Sequence, residues 1–197
     1  MPGTVFKWAA PLFARFAERW SDDDAEAFAR LLAPFMGAGG RLLDLGGGTG
    51  ALAGLLARQL GCMVTVVDPS PQMLSYAHGM PGVEPVLADA SALPFPDGNF
   101  DAVLVCDAFH HFADPQKAAR EMARVARLGG GVLIAEPDSD RRAIRAIAVA
   151  ERLLGEPAGF MRPEELELLM SGAGIQGRAQ RQGKASYVFV GTVTQTR

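Results

Sequence analysis

Short, nearly continuous apolar runs alternate along this chain with longer stretches in which apolar residues recur at helical spacing. Such runs are typical of strands buried on both faces of a parallel sheet, with helices packed against each face. The pattern predicts five strands: RLLDL (Arg41–Leu45), CMVTVV (Cys62–Val67), VEPVLA (Val83–Ala88), FDAVLVC (Phe100–Cys106) and GVLIAE (Gly131–Glu136). We therefore expect an α/β, doubly wound fold with helices on both faces of the sheet.

Two of the intervening helices carry start signals. Ser70-Pro71 and Asp114-Pro115 each place a capping residue before a proline at the first helical position. An alanine- and arginine-rich helix is predicted over Asp138–Leu154. Pro163 then opens a further helix that ends near Gly172.

The end of the chain predicts a strand pair over residues 174–194. IQGRAQRQ and SYVFVGTV flank Gly183-Lys184, a plausible hairpin turn, so these two strands should be antiparallel to each other.

The first segment, residues 1–38, lies outside the alternation. Ser21 and Asp24 resemble a capping box for a helix that runs to Met36. Aromatic residues recur before it at helical spacing: Phe6, Phe13, Phe16 and Trp20. These rings either pack the segment against the sheet or form a lid over an apolar substrate, since apolar and aromatic side chains line most small-molecule pockets.

Composition is that of an ordinary soluble domain, with 49% hydrophobic residues, 21% charged residues and a formal net charge of -3. We expect residues 1–197 to form one domain with a cytoplasmic location and no membrane span, because the apolar runs are short and no leader pattern is seen. The acidic balance disfavours a nucleic-acid partner. Cys62 and Cys106 lie in apolar runs and are expected to be reduced core residues, from which no metal site can be built.

The first predicted strand is followed by a very bare turn, Gly46-Gly47-Gly48-Thr49-Gly50, and then by an apolar helix. A turn without Cβ atoms lets a ligand approach backbone amides at the start of a helix. In open α/β sheets ligands bind beyond the carboxyl ends of the strands at the switch point of the strand order. The turn therefore predicts a cofactor site.

Glycine spacing alone leaves the cofactor open. Gly46, Gly48 and Ala51 also satisfy the dinucleotide fingerprint, with Asp68 as the ribose acid of a nicotinamide dehydrogenase. Asp44 argues against this alternative, because its charge would repel a pyrophosphate and would suit a cationic ligand such as a sulfonium or an ammonium group. The chain also lacks a Tyr-x-x-x-Lys pair.

Acids follow the next two strands as well. Asp68 ends the second strand, where a carboxylate can accept hydrogen bonds from ribose hydroxyls. Asp89 ends the third, where it can accept from an exocyclic amine such as adenine N6. Either acid alone could serve turn chemistry or helix capping. Together with Asp44, they form a series at successive strand ends that favours a nucleoside-containing cofactor.

These motifs occur in order, as LLDLGGGTG, VVDPSPQML and the long segment from LADASALPF to LIAEP. From Arg41 to Pro137, about half of the chain, the sequence resembles the class I S-adenosylmethionine-dependent methyltransferases, in the branch that includes the ubiquinone/menaquinone C-methyltransferases. The resemblance implies a Rossmann-like, seven-stranded, mostly parallel sheet whose last strand is antiparallel. It also implies that residues 41–137 bind S-adenosylmethionine and that residues 138–171 shape the acceptor side.

The resemblance further implies roles for individual residues. Asp44 and the glycine turn would hold the methionine moiety, Asp68 the ribose, and Asp89 with Ala90 the adenine. Met73 would pack on the adenine face, and Cys106 would line the pocket through its backbone. The whole expected cofactor set is Asp44, Gly46, Gly47, Gly48, Asp68, Pro69, Met73, Asp89, Ala90, Cys106 and Asp107.

The fourth strand is followed by CDAFHHF, which places His110 and His111 beside the expected methyl position. Methyl transfer depends mainly on alignment, so a base is needed only when the acceptor must lose a proton. A histidine titrates near neutrality and is the natural candidate for that base. A structural hydrogen bond is the alternative role for these rings.

The acceptor is expected to be a small molecule, apolar or aromatic. A nucleic-acid acceptor is disfavoured, because the segment that many amino-methylating enzymes acting on nucleobases use at the end of this strand is replaced by Cys106-Asp107-Ala108-Phe109. Arg141, Arg142 and Arg145 form either a solvated face or an anion-binding cluster. A binding module that keeps the cofactor motifs without catalysis is a further alternative to the enzyme. The sequence predicts no oligomeric state.

Overall fold

The computed structural model describes residues 20–140, 159–183 and 185–195. The predicted helix over Asp138–Leu154, the cluster of Arg141, Arg142 and Arg145, and the aromatic residues Phe6, Phe13 and Phe16 fall wholly or mostly outside these ranges. The described elements are α1 (Asp22–Leu32), β1 (Arg41–Leu45), α2 (Ala51–Leu60), β2 (Met63–Asp68), α3 (Pro71–Ala77), β3 (Val83–Leu87), β4 (Phe100–Cys106), α4 (Pro115–Val125), β5 (Ala126–Pro137), α5 (Pro163–Gly172), β6 (Ile175–Gln182) and β7 (Ser186–Val193).

The strands form one seven-stranded sheet in the order β3-β2-β1-β4-β5-β7-β6. Strands β1 to β5 are parallel to one another, whereas β7 is antiparallel to both β5 and β6. All five apolar runs and the C-terminal strand pair predicted from the sequence are thus confirmed as strands. The predicted seven-stranded, mostly parallel sheet with an antiparallel last strand is confirmed.

Two apolar cores lie on the sheet and explain its continuous hydrophobic runs. One core packs α1, α2 and α3 against one face, and the other packs α4 and α5 against the opposite face. Neighbouring residues of a strand therefore both meet apolar partners: Leu42 lies in the first core and Leu43 in the second. Burial on both faces is the reason that strand period is hidden in this sequence.

Local capping begins the helices where the sequence predicts. The side chains of Ser70 and Asp114 accept from the backbone N–H of Met73 and Lys117, and a proline follows each cap. The capping box of Ser21 and Asp24 is formed in full at the start of α1.

The predicted end of α1 at Met36 is wrong, because the helix ends at Leu32. Pro34 has no N–H to continue the helical ladder, and the chain closes instead with turns in which Phe35 and Met36 donate to Leu32 and Ala33.

The aromatic residues that the structure describes in this segment pack inward. Trp20, Phe28 and Phe35 all lie against the core beneath α1 and α2, with the rings of Trp20 and Phe28 edge to face at 5.9 Å between centroids. For these rings the packing role holds. The lid hypothesis covered these rings together with Phe6, Phe13 and Phe16, which lie outside the described residues.

Strand β5 begins at Ala126, earlier than the predicted Gly131, but its pairing is not continuous. Ala126 pairs with Phe100 and Gly131 pairs with Ala102, so residues 127–130 loop out of the register. Gly129 has a φ of 75°, which is the conformation of a turn. The regular strand therefore starts where the apolar run starts.

Two further expectations concern the chain as a whole. Cys62 is buried, Cys106 is half-buried, and the two form no disulfide with each other. None of the helices in the described ranges has both the length and the apolarity that crossing a bilayer requires.

Candidate active site

The glycine turn follows the central strand at the point where the strand order reverses. From β1 the chain first adds β2 and β3 on one side, and then crosses to add β4 and β5 on the other. The crevice between β1 and β4 is where open α/β sheets bind ligands, beyond the carboxyl ends of the strands. The sequence-based expectation that the turn lies at this switch point is confirmed.

The turn has no room for side chains. Gly46 and Gly48 have positive φ values of 78° and 56°, which glycine adopts without strain. A Cβ atom added at Gly46 would lie 2.6 Å from the Cβ of Ala108, and one added at Gly47 would collide with the carboxylate of Asp44. The glycines therefore let the turn pack tightly between β1 and the segment after β4.

Asp44 is buried beneath the turn, with only 2% of its surface exposed. Its Oδ2 atom has no hydrogen-bond partner among the residues that the structure describes. Burial, together with the smaller effect of the nearby charge of Asp68, raises the pKa of this carboxyl to about 7. A buried carboxylate without a partner is costly, so the site favours a cationic ligand at this atom.

Asp68 lies on the neighbouring strand and contacts the same turn. Its Oδ2 accepts from the N–H of Gly48 at 3.1 Å, and its Oδ1 accepts from the N–H of Ser70 at 2.8 Å. Burial raises the pKa of this carboxyl, while the two backbone hydrogen bonds lower it in part. Each carboxylate oxygen can accept a further hydrogen bond, so hydroxyl donors fit beside these amides.

Met73 covers the turn from α3. Its Cε atom lies 3.1 Å from the position that a Cβ would take at Gly48, and its side chain is half-buried. Pro69, between Asp68 and the helix cap Ser70, is exposed. A flexible thioether on a glycine turn offers a surface on which a flat ring can stack.

Asp89 and Ala90 follow β3, further along the same edge of the sheet. Asp89 is exposed and its Oδ1 accepts from the N–H of Ser91 at 2.8 Å. Its backbone also pairs with Ala92 in an isolated bridge. Turn chemistry thus uses one oxygen of Asp89.

The segment after β4 lies on the other side of the crevice. Cys106 is half-buried, and Asp107 has a φ of 53°, a left-handed conformation that is uncommon outside glycine. The N–H of Asp107 donates to the carbonyl of Ala135 on β5. This bend turns the chain back over the glycine turn, where the ring of Phe112 approaches Gly46.

His110 and His111 are placed differently. His111 is half-buried, whereas His110 is buried with 4% of its surface exposed. The Nδ1 atom of His110 lies 2.6 Å from Oε2 of Glu136, and the ring of Phe160 stacks on the imidazole at 4.1 Å between centroids. Adjacent in sequence, the two imidazoles also contact each other, with their centroids 4.0 Å apart.

Glu136 is a residue of this site that sequence reasoning did not single out. It is the next-to-last residue of β5, as Asp44 is of β1, and Asp68 is the last residue of β2, so the same rule of acids near strand ends would have found it. Among the described residues, no group of three or more His, Cys, Asp or Glu is arranged to hold a metal ion.

Comparisons with known proteins bear on this site. Residues 43–134 match the family model described as a methyltransferase domain. The chain is 45% identical over 102 residues to a demethylmenaquinone methyltransferase of Thermus thermophilus, covering 49% of this chain and 46% of the relative. It is 39% identical over 108 residues to a ubiquinone/menaquinone biosynthesis C-methyltransferase of Hahella chejuensis, covering 50% of this chain and 43% of the relative.

Residues 43–134 therefore match a methyltransferase domain, and this part of the chain is similar to S-adenosylmethionine-dependent methyltransferases of class I. The resemblance drawn from its motifs is confirmed, and the dehydrogenase alternative is not favoured. The chain spans less than half the length of these curated relatives. All thirteen residues expected to bind the cofactor or to catalyse lie in the matched segment of the methyltransferase domain, whereas Glu136 lies just beyond it.

The fold of this methyltransferase domain is shared by solved structures of low sequence identity. A crystal structure from Thermotoga maritima, described as an S-adenosylmethionine-dependent methyltransferase and possible histamine N-methyltransferase, superimposes with a TM-score of 0.73 at 23% identity. The superposition covers 96% of this chain and 99% of that protein. This likeness confirms the Rossmann-like fold.

Proposed function

We propose that the protein transfers the methyl group of S-adenosylmethionine to a small-molecule acceptor by in-line displacement. The observation that carries this proposal is the buried carboxylate of Asp44, whose Oδ2 lacks a hydrogen-bond partner among the described residues and adjoins the glycine turn. A ligand with an ammonium group and a sulfonium supplies the positive charge that this atom lacks. When bound, S-adenosylmethionine supplies the electrophilic methyl group.

The remaining cofactor contacts are proposed from the same edge of the sheet. Asp44 and the turn of Gly46, Gly47 and Gly48 hold the methionine moiety, and Asp68 accepts from the ribose hydroxyls. The adenine lies between Met73 and the segment of Asp89 and Ala90. Pro69, Cys106 and Asp107 line the pocket mainly through their backbone. This arrangement is supported by the short separation of Met73 from Gly48 and by the amides already aligned on Asp68.

We propose that the segment after β4 faces the acceptor. Alignment of the acceptor with the methyl group supplies most of the rate enhancement, and proton removal adds to it when the acceptor is acidic. His110 and His111 are the groups proposed to take that proton. His110 is buried, and its Nδ1 contacts the carboxylate of Glu136. Both observations support a role in which the orientation of the imidazole is fixed.

The acceptor class is proposed from the relatives and from the side chains near the site. The relatives named above methylate demethylmenaquinone or act in ubiquinone and menaquinone biosynthesis. Phe112 and Met161 are half-buried against the second core, and the half-buried Phe160 stacks on His110. A flat, apolar or aromatic acceptor such as a demethylated quinol suits such side chains.

The test is transfer of a tritiated methyl group from S-adenosylmethionine to reduced demethylmenaquinone, measured by extraction of the labelled product. The wild-type protein should label the acceptor, and Asp68→Ala should not, because its ribose contact is lost. Asp114→Ala is the matched control: it also removes a carboxylate that accepts a backbone N–H, but at the cap of α4. Labelling by Asp68→Ala equal to that by wild type would contradict the ribose assignment.

A further inference from the structure

Glu136 makes three hydrogen bonds in the interior of the protein. Its Oε1 accepts from the N–H of Ala108 at 2.9 Å and from the N–H of Phe109 at 2.7 Å. Its Oε2 lies 2.6 Å from Nδ1 of His110. The side chains of Glu136 and His110 are only 3% and 4% exposed. One carboxylate on β5 thus holds three consecutive residues of the segment after β4.

The contact with His110 fixes the tautomer of its ring. An ionised carboxylate only accepts hydrogen bonds, so the proton of this short contact belongs on Nδ1 of the imidazole. In the neutral ring Nε2 is then the acceptor, the form in which a histidine can take a proton from a substrate. Carboxylates orient catalytic and metal-binding histidines in the same manner in other enzymes.

His110 also joins the segment after β4 to the residues just before α5. The carbonyl of His110 accepts from the N–H of Gly159 at 2.8 Å, and Phe160 stacks on its ring with only 15° between the planes. Gly46 of the cofactor turn packs against Ala108 on the other side. A shift of this backbone would therefore move both the cofactor turn and the aromatic side chains proposed to face the acceptor.

We propose that Glu136 is a positioning residue for methyl transfer, which holds the proton of His110 on Nδ1 and keeps the segment after β4 in its bent form. This role rests on the proposed function, because it acts through His110 on the acceptor. None of these hydrogen bonds reaches the glycine turn or Asp68, so a substitution at Glu136 that keeps the backbone contacts should leave cofactor affinity unchanged.

Glu136→Gln separates positioning from folding. The two backbone N–H groups of Ala108 and Phe109 require an oxygen opposite them, which forces the amide nitrogen toward His110. That nitrogen donates to Nδ1, so the imidazole proton moves to Nε2. The variant keeps the backbone contacts and the shape of the side chain but reverses the tautomer.

Glu167→Gln is the matched control. Glu167 also accepts a backbone N–H, from Ala179 at 2.7 Å, and also contacts a cationic side chain, that of Arg178. It joins α5 to β6 and contacts none of the residues proposed to bind the cofactor or the acceptor. Its loss of charge should leave methyl transfer unchanged.

Imidazole nitrogen NMR reports the tautomer directly, and the chain has only three histidines, His78, His110 and His111. His78→Gln and His111→Gln variants assign the three signals. Wild type should show Nδ1 of His110 protonated, and Glu136→Gln should show the proton on Nε2. A wild-type ring with the proton on Nε2, or a tautomer unchanged in Glu136→Gln, would overturn the proposal.

Kinetics with reduced demethylmenaquinone complete the test. Glu136→Gln should lower kcat at least tenfold while the Kd for S-adenosylmethionine, measured by calorimetry, stays within twofold of wild type. A purely structural carboxylate predicts an unchanged kcat, and that result with an active wild type overturns the positioning role alone. A wild type that binds cofactor but transfers no methyl group overturns the proposed function, and the positioning role with it.

Discussion

Asp44 and Asp68 end neighbouring parallel strands and contact the same glycine turn, and the charge of Asp68 adds to burial in raising the pKa of Asp44 to about 7. Asp68 has backbone amides on both oxygens, whereas Oδ2 of Asp44 has no hydrogen-bond partner among the described residues. The two acids are therefore not equivalent. The fold supplies hydrogen bonds to the ionised form of Asp68, whereas it buries the carboxylate of Asp44 and destabilises its ionised form.

The first prediction is that Asp44→Asn stabilises the protein without cofactor while removing cofactor binding. Because the pKa of Asp44 is raised on folding, the folded state keeps a proton that the unfolded state loses, and stability falls as pH rises from about 4 to about 7. The amide removes this dependence. We expect the free energy of unfolding to increase by about 1–3 kcal/mol at pH 8.

Urea denaturation of both proteins at pH 5 and pH 8 measures this difference. The gain from the substitution should be larger at pH 8, where the wild-type carboxyl is ionised in the folded state. A variant that is less stable than wild type at pH 8 would show that Asp44 has a stabilising partner.

The second prediction concerns the pH dependence of cofactor binding. A cationic ligand requires the ionised form of Asp44, so binding below pH 7 must release the proton that the free protein holds. The Kd for S-adenosylmethionine should rise by up to about tenfold for each pH unit below 7 and level off above it. Calorimetry near pH 6.5 in two buffers of different ionisation enthalpy detects the released proton; equal heats in the two buffers would contradict this account.

The third prediction is that Gly47→Ala weakens cofactor binding with little strain in the backbone. The added Cβ collides with the carboxylate of Asp44, and φ at this position is not positive. Gly37→Ala is the matched control, since it also lacks a positive φ and a Cβ there meets nothing within 4 Å. Binding of S-adenosylmethionine should weaken at least tenfold in the first variant and stay unchanged in the second.

The sheet could be predicted from the sequence because its signals are local. Apolar runs, the caps at Ser70 and Asp114, and the hairpin glycine Gly183 each lie within a few residues of the element that they specify. Apolar spacing continues to Met36 and so predicts too late an end for α1, because Pro34 stops the hydrogen-bond ladder.

Parts of the site could not be predicted because they depend on contacts between distant residues. Glu136 meets His110 across 26 positions, and the pairing exists only because β4 and β5 are neighbours with their carboxyl ends aligned. Among the described residues, Oδ2 of Asp44 has no hydrogen-bond partner because of how the surrounding residues pack. Residue spacing in the sequence cannot predict this.

A fourth prediction concerns Arg124, another long-range residue. Its guanidinium donates to the carbonyls of Leu93 and Phe95 and contacts Asp97 and Glu121, so it fixes the loop between β3 and β4. Hydrogen bonding to Glu121 raises the pKa of Arg124 above its usual range, and the side chain is only 24% exposed. Arg124→Gln should lower the free energy of unfolding by about 1–3 kcal/mol.

Arg127→Gln is the comparison for that change, because Arg127 has an ion pair with Asp101 and a hydrogen bond to the backbone carbonyl of Phe35, but is 45% exposed. Its effect on urea denaturation should be smaller, as exposed ion pairs contribute little. Equal losses for the two variants would show that the loop contacts of Arg124 add nothing to stability.

The most direct test of the central claim is calorimetric titration of the purified protein with S-adenosylmethionine, S-adenosylhomocysteine and NADH in parallel at pH 8. We expect micromolar binding of the two sulfur-containing nucleosides and none of NADH, because Asp44 favours an amino-acid ammonium and opposes a pyrophosphate. Binding of NADH alone, or of none of the three ligands, would contradict the assignment of this crevice as an S-adenosylmethionine site.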